Sequence, residues 1–267
     1  MTKFPKIGFG LFAAFVAFAI VFSYLISAQY IKTGDKPWHM QPFIDADSLT
    51  AEYAGNYELL GKGQLFRRFA DSTRTTVNIL VDAWGVPFEP QLLREDFAVF
   101  KDVPHKEYLH YRLVNRTRHA EFAELRIYRQ VRDSAELSDS IAPHNAIYLF
   151  GGDSLEYGRN LYMDSLGYGV RLFCQKCPDS VMAAMLDSVL AAVAVDTTSP
   201  VKNVAWTTQD SRDGDRAKLH ATLRLIAGVA RKHPEARFIV QGTHRPILGD
   251  PKIRRESFAH WVPVVIF

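Results

Sequence analysis

Residues 76–85 read Thr-Val-Asn-Ile-Leu-Val-Asp-Ala-Trp-Gly. A β-branched, apolar run that stops at an acid and a glycine is the pattern of a buried strand followed by a turn. The form returns at Ala146–Phe150 (AIYLF), which runs into Gly151–Gly152–Asp153. It returns again at Val201–Thr208 (VKNVAWTT), at Ala236–Val240 (ARFIV) and, with Pro263 near its start, at Trp261–Phe267 (WVPVVIF). Between these runs the spacing predicts helices over Glu89–Phe97, Ala120–Val131, Leu155–Leu166, Asp179–Val193 and Arg216–Lys232. Strands alternating with helices imply an α/β fold, a mostly parallel sheet with helices on both faces. In such sheets the functional groups gather past the carboxyl ends of the strands. Asp82, Asp153, Gln209–Asp210–Ser211 and Thr243–His244 stand there.

Upstream the chain is of another kind. From Ile7 to Ile31 no residue is charged. As a helix, such a run would span the ~30 Å hydrocarbon core of a bilayer. Lys3 and Lys6 precede it, and Lys32, Asp35 and Lys36 follow. The length of the run favours an uncleaved anchor over a cleaved signal peptide, and the charge bias favours the N-terminus in the cytoplasm and the bulk outside. The expected organisation is a cytoplasmic tail over 1–6, one transmembrane helix over 7–31, a juxtamembrane connector over 32–74 and a globular domain over 75–267. Within the connector a helix is expected near Asp47–Leu60, capped by Asp45 or Asp47. The expected location is the inner or plasma membrane, with the C-terminal domain extracytoplasmic.

The chain has 267 residues, 48% of them hydrophobic and 23% charged, which excludes a disordered chain. Net charge is +3, and two of those charges are Lys3 and Lys6, so no basic footprint for nucleic acid is present.

Several residues invite chemical readings. Asp82 can hold a divalent metal or orient a base, or simply cap a turn. Thr117 stands where a helix N-cap would; alternatively its hydroxyl is a nucleophile at a helix terminus that favours anions. Tyr157 and Arg159 pair an aromatic face with a guanidinium, suited to a phosphorylated headgroup or a sugar, or to a solvated helix face. His244 is a metal ligand or a structural imidazole. Cys174–Gln175–Lys176–Cys177 has the spacing of a thiol–disulfide redox pair, or of a structural disulfide.

Taken together, these segments resemble the extracytoplasmic domain of membrane-anchored sulfatase-like proteins in the alkaline phosphatase superfamily. Lipoteichoic acid synthases and phosphoethanolamine transferases belong to that group. The segments are Val77–Gly85, Asn115–Leu125, Ile147–Gly167, Cys177–Leu190 and Val204–Ser211. The resemblance implies a divalent metal, Mn or Zn, at Asp82 and His244, Thr117 as nucleophile, and Tyr157 and Arg159 on substrate. It also gives Cys177 and Asp179 a structural explanation. Where the family has Gly-Asp-His, this chain reads Gly242–Thr243–His244, and the histidine expected after Thr208 is replaced by Gln209, Asp210 and Ser211. The resemblance with these losses implies a degenerate, non-catalytic member that binds envelope glycan or lipid headgroup. The alternatives are an active phosphoryl-headgroup transferase or phosphodiesterase, and a thiol–disulfide oxidoreductase through Cys174 and Cys177. Asp210 or Asp250 could replace the lost acid.

Overall fold

The strand at Thr76–Val81 is the centre of an eight-stranded sheet, and all six of its residues are buried. The computed structural model describes residues 15–24, 49–71, 73–114, 116–127, 146–153, 158–195, 203–246 and 256–267. The chain divides into two units, Met1–Asp45 and Ala46–Phe267. In the first, residues 15–24 form a helix whose apolar side chains, Phe15, Phe18 and Phe22 among them, are exposed. Among the described residues no helix is long and apolar enough to cross a membrane. The rest of the expected span, 7–14 and 25–31, lies outside the described residues.

The second unit runs α1 (Ala51–Asn56), β1 (Glu58–Leu60), α2 (Leu65–Phe69), β2 (Thr76–Val81), α3 (Pro90–Ala98), β3 (Lys106–Tyr111), α4 (Thr117–Glu124) and β4 (Ala146–Phe150). It continues α5 (Arg159–Leu166), β5 (Val170–Phe173), α6 (Asp179–Val195), β6 (Asn203–Thr207), α7 (Arg216–Lys232), β7 (Arg237–Gly242) and β8 (Trp261–Ile266). The strand order is β1-β3-β8-β7-β2-β6-β4-β5. Only β8 runs against its neighbours, so the carboxyl ends of the other strands share one edge.

Period-two alternation assigns the two faces. Val77, Ile79 and Val81 of β2 pack with Phe97 of α3, Met182 and Leu186 of α6, and Leu223 and Ile226 of α7. Leu80 packs the other way, with Ala120 of α4 and Tyr162, Met163 and Leu166 of α5. Helices therefore cover both faces. Local chemistry sets their ends. The Asp215 carboxylate accepts from the Ala217 and Lys218 N–H groups at the start of α7, and Arg231 and Lys232 occupy its last turn. Left-handed Gly158 and Gly167 bracket α5.

The structure departs from the sequence reading in several places. The expected connector is part of the fold from residue 49 onward: β1 pairs in parallel with β3, and Tyr53 of α1 is fully buried. The helix expected over Asp47–Leu60 is shorter, because β3 supplies ladder hydrogen bonds to Glu58–Leu60. The helix expected at Ala120–Val131 starts earlier and stops at Glu124, where the Gln64 side-chain amide holds the carbonyls of Glu124 and Arg126. Strands β3 and β5 were not legible in the sequence, since both are partly exposed and carry Lys106, Glu107 and Arg171.

Candidate functional site

Strands β2, β6 and β7 end side by side, and the residues just past them converge. Thr117, the first residue of α4, donates from Oγ1 to Asp82 Oδ1 at 2.8 Å. The same Oγ1 lies 3.0 Å from His244 Nε2. Thr243 Oγ1 donates to the same Asp82 Oδ1 at 2.8 Å and accepts from the Ala83 N–H at 3.3 Å. His244 Nε2 is 3.3 Å from Asp82 Oδ1, and its Nδ1 is 2.6 Å from the Arg245 carbonyl oxygen. That carbonyl accepts from Nδ1–H and turns Nε2 toward Thr117 and Asp82.

Thr117 is not a cap. Arg116 holds the N-cap position with extended backbone, and the Thr117 hydroxyl is engaged with Asp82 and His244 instead. Thr243 and His244 are buried, and Asp82 and Thr117 are half-buried at the mouth.

The backbone around Asp82 is fixed by the loop after β6. Thr208 Oγ1 accepts from the Asp82 N–H at 3.0 Å, and Ser211 Oγ donates to the Asp82 carbonyl at 2.6 Å. Ala83 takes a positive φ of 55° at the turn. Close packing also shapes this edge. A Cβ on Gly242 would overlap the Trp84 carbonyl oxygen, and one on Gly85 would come within 2.6 Å of the Arg245 Cα.

Asp210 is engaged away from Asp82. Its carboxylate accepts from the Asp179 N–H at 2.9 Å, at the start of α6. In return the Asp179 carboxylate accepts from the Gln209 and Asp210 N–H groups and from the Thr222 hydroxyl. Burial pushes the Asp179 carboxyl up to about 6, against those three donors. Asp250 and Tyr157 lie outside the described residues.

Arg159 is buried rather than facing a ligand. Its Nε donates to Glu121 Oε1 at 3.0 Å, and its guanidinium lies 3.7 Å over the Phe150 ring. Glu121 also accepts from Thr207 at 2.9 Å, from Tyr148 at 3.0 Å and from Tyr162. One turn further, Glu124 accepts from Arg112 Nη1 and His110 Nε2, each at 3.2 Å, and from the Leu65 N–H at 2.9 Å. Burial opposes its charge, but Arg112 and His110 outweigh that and hold the Glu124 carboxyl below the usual range. Residues 117, 121 and 124 thus make one polar face of α4, turned toward the sheet. Sequence reasoning missed Glu121, Glu124 and Arg112. The available signal was the spacing of four and then three residues, which puts all three α4 groups on one side.

Cys174 and Cys177 form a disulfide in the loop after β5. The Cys177 N–H donates to the carbonyls of Gly151 (2.9 Å) and Cys174 (3.0 Å), and both cysteines are half-buried against the core.

No protein-family model matches the chain, and no curated protein matches it. Solved structures do. A protein from Vibrio parahaemolyticus in the alkaline phosphatase superfamily aligns at 10% identity and a TM-score of 0.49, covering 74% of this chain and 61% of its own. The lipoteichoic acid synthase LtaP from Listeria monocytogenes aligns at 8% identity and 0.49, covering 73% and 65%. The C-terminal periplasmic domain of EcEptC from Escherichia coli, in complex with Zn, aligns at 10% and 0.46, covering 74% and 73%. This chain spans less than two thirds of the first two.

The donor set at Asp82 is sparse for a resident dication. It offers one carboxylate and one imidazole, and the Asp82 oxygen nearest His244 already accepts from two hydroxyls. Among the described residues no three His, Cys, Asp or Glu side chains converge as a metal site. The residues present do not fit a tightly held dication.

Proposed function

We propose that residues 46–267 form a sulfatase-like module of the cell envelope that has lost catalysis and binds a glycan or a lipid headgroup at its Asp82–Thr117 edge. In this reading the uncharged segment 7–31 anchors the chain in the inner or plasma membrane, and the module faces outward. The observation that carries it is the Thr243 hydroxyl on Asp82 Oδ1. A neutral donor stands where the resemblance implies an acid, so one negative charge is lost from the site. A dication there would have too little counter-charge to bind tightly or to ionise the Thr117 hydroxyl. What remains is a cluster of hydroxyl, carboxylate and imidazole groups, which suits hydrogen bonding to a polyol or a headgroup.

One observation favours an active enzyme as the second reading. The Thr117 hydroxyl is free of capping and has two proton acceptors within 3.0 Å, the geometry of a nucleophile next to a base.

Metal analysis of the purified full-length chain, together with turnover of bis(p-nitrophenyl) phosphate, separates the two. The binding reading expects metal well below one equivalent and no turnover above that of Thr117→Ala. Stoichiometric Mn or Zn with turnover abolished by Thr117→Ala would overturn it.

A further inference from the structure

On the far side of α4 from Asp82 lies a groove of about 450 Å³, bounded by the loop after β1, the end of β3 and the outer flank of α4. Its volume falls in the ~300–1,000 Å³ range of small-molecule sites. Its walls include Leu113 and Val114, which are 61% and 41% exposed, together with Ala123. Its rim carries Lys62 and Arg126. Among the described residues neither cation has an ion-pair partner, and the one acid that lines the groove, Glu124, is committed to Arg112.

The floor holds a further signal. His110 is 2% exposed and lines the groove, and its buried Nδ1 has no hydrogen-bond partner among the described residues. Its Nε2 meets the Glu124 carboxylate, which can only accept, so Nε2 carries the proton. In the neutral ring that tautomer leaves Nδ1 as an acceptor. A buried acceptor left without a donor is destabilising. Apolar walls, basic groups without an ion-pair partner among the described residues and a buried ring nitrogen without a hydrogen-bond partner among them describe the chemistry of a ligand.

We propose that this groove binds a small anionic amphiphile: an acyl chain against Leu113 and Val114, a hydroxyl or amide N–H donating to His110 Nδ1, and a negatively charged head at Lys62 and Arg126. The proposal does not rest on the reading of the Asp82–Thr117 site.

The test uses the full-length chain in phosphatidylcholine nanodiscs, with N-dodecanoylglycine as probe and empty nanodiscs as the blank. N-dodecanoylglycine has the chain, the amide N–H and the carboxylate; its methyl ester lacks the charge. Equilibrium dialysis is expected to give one saturable site, with the ester at least 10-fold weaker. Lys62→Glu/Arg126→Glu and Leu113→Asp, with Lys62 and Leu113 exposed and Arg126 half-buried, are each expected to weaken binding at least 10-fold without shifting the melting temperature. The ¹⁵N resonance of His110 Nδ1 is expected to move on saturation. Absence of a saturable site would overturn the proposal, as would equal affinity for acid and ester. Binding that survives Leu113→Asp would reduce the groove to surface charge and overturn it too. Equally tight competition by an acidic peptide without an acyl chain would assign the groove to a protein segment instead.

Discussion

The Thr243 hydroxyl donates a 2.8 Å hydrogen bond to Asp82 Oδ1, the same oxygen that holds Thr117. The side chain at 243 therefore sits within reach of any ion placed between Asp82 and His244. Thr243→Asp is expected to raise Mn²⁺ or Zn²⁺ affinity at least 10-fold in calorimetry, since even outer contacts to a metal are worth about 10–100-fold. The gain is expected to vanish when Asp82→Ala or His244→Ala is added. No gain from Thr243→Asp would refute the assignment of these residues to one metal-type site.

Glu121 and Arg159 form an ion pair with both side chains buried, 0% and 2% exposed. Breaking a buried pair strands a charge and typically costs about 3–5 kcal/mol, whereas replacing both partners is far milder. Glu121→Gln is accordingly expected to lower stability by roughly that amount in urea unfolding. Adding Arg159→Met is expected to recover most of it. A Glu121→Gln variant as stable as the parent would contradict the packing of α4.

Gly242 and Gly228 differ in what surrounds them. At Gly242 a Cβ meets the Trp84 carbonyl oxygen, whereas around Gly228, inside α7, nothing lies within 4 Å. Gly242→Ala is expected to cost at least about 1–3 kcal/mol and to displace Thr243 and His244. Gly228→Ala is expected to stabilise by up to about 1 kcal/mol through helix propensity. Thermal unfolding of the two variants checks both signs.

The Asp179 carboxyl, raised by burial to about 6 from 3.8, gives a pH dependence of unusual sign. Between those values the folded chain holds a proton that the unfolded chain has lost. The contribution of this group to stability is therefore greatest below pH 4, falls as pH rises toward 6, and is flat above. The loss is on the order of 3 kcal/mol. The difference in unfolding free energy between wild type and Asp179→Asn is expected to change over pH 4–6 and to be constant above it. A difference independent of pH would show that the three donors around Asp179 offset its burial.

The disulfide closes a short loop, for which chain entropy supplies only about 2 kcal/mol. The Cys177 N–H is also held by Gly151 and Cys174 carbonyls. Cys174→Ser/Cys177→Ser is expected to keep the fold and to leave insulin reduction at background, as in wild type. Reduction activity that disappears in this variant would establish the oxidoreductase reading.

The sequence by itself determined the buried strands of the sheet. The strands at Thr76–Val81 and Ala146–Phe150 are legible because burial on both faces demands a continuous apolar run. The helix at Arg216–Lys232 is legible because one apolar face and an Asp215 cap repeat a known period. Strand ends also named Asp82 and His244 as candidates, because a parallel sheet sends its loops to one edge. Tertiary structure alone decided what those residues touch. Only the folded chain reveals that Thr117 is bonded to Asp82 and His244 instead of capping its helix, and that Asp210 is taken by α6. Only there is Arg159 drawn inward by Glu121. The physical reason is that charged residues read as solvated in sequence unless a partner is known. The partners of Glu121 and Glu124 lie on other elements, so local spacing puts these acids on one side of α4 with Thr117 but does not announce that this side faces the core.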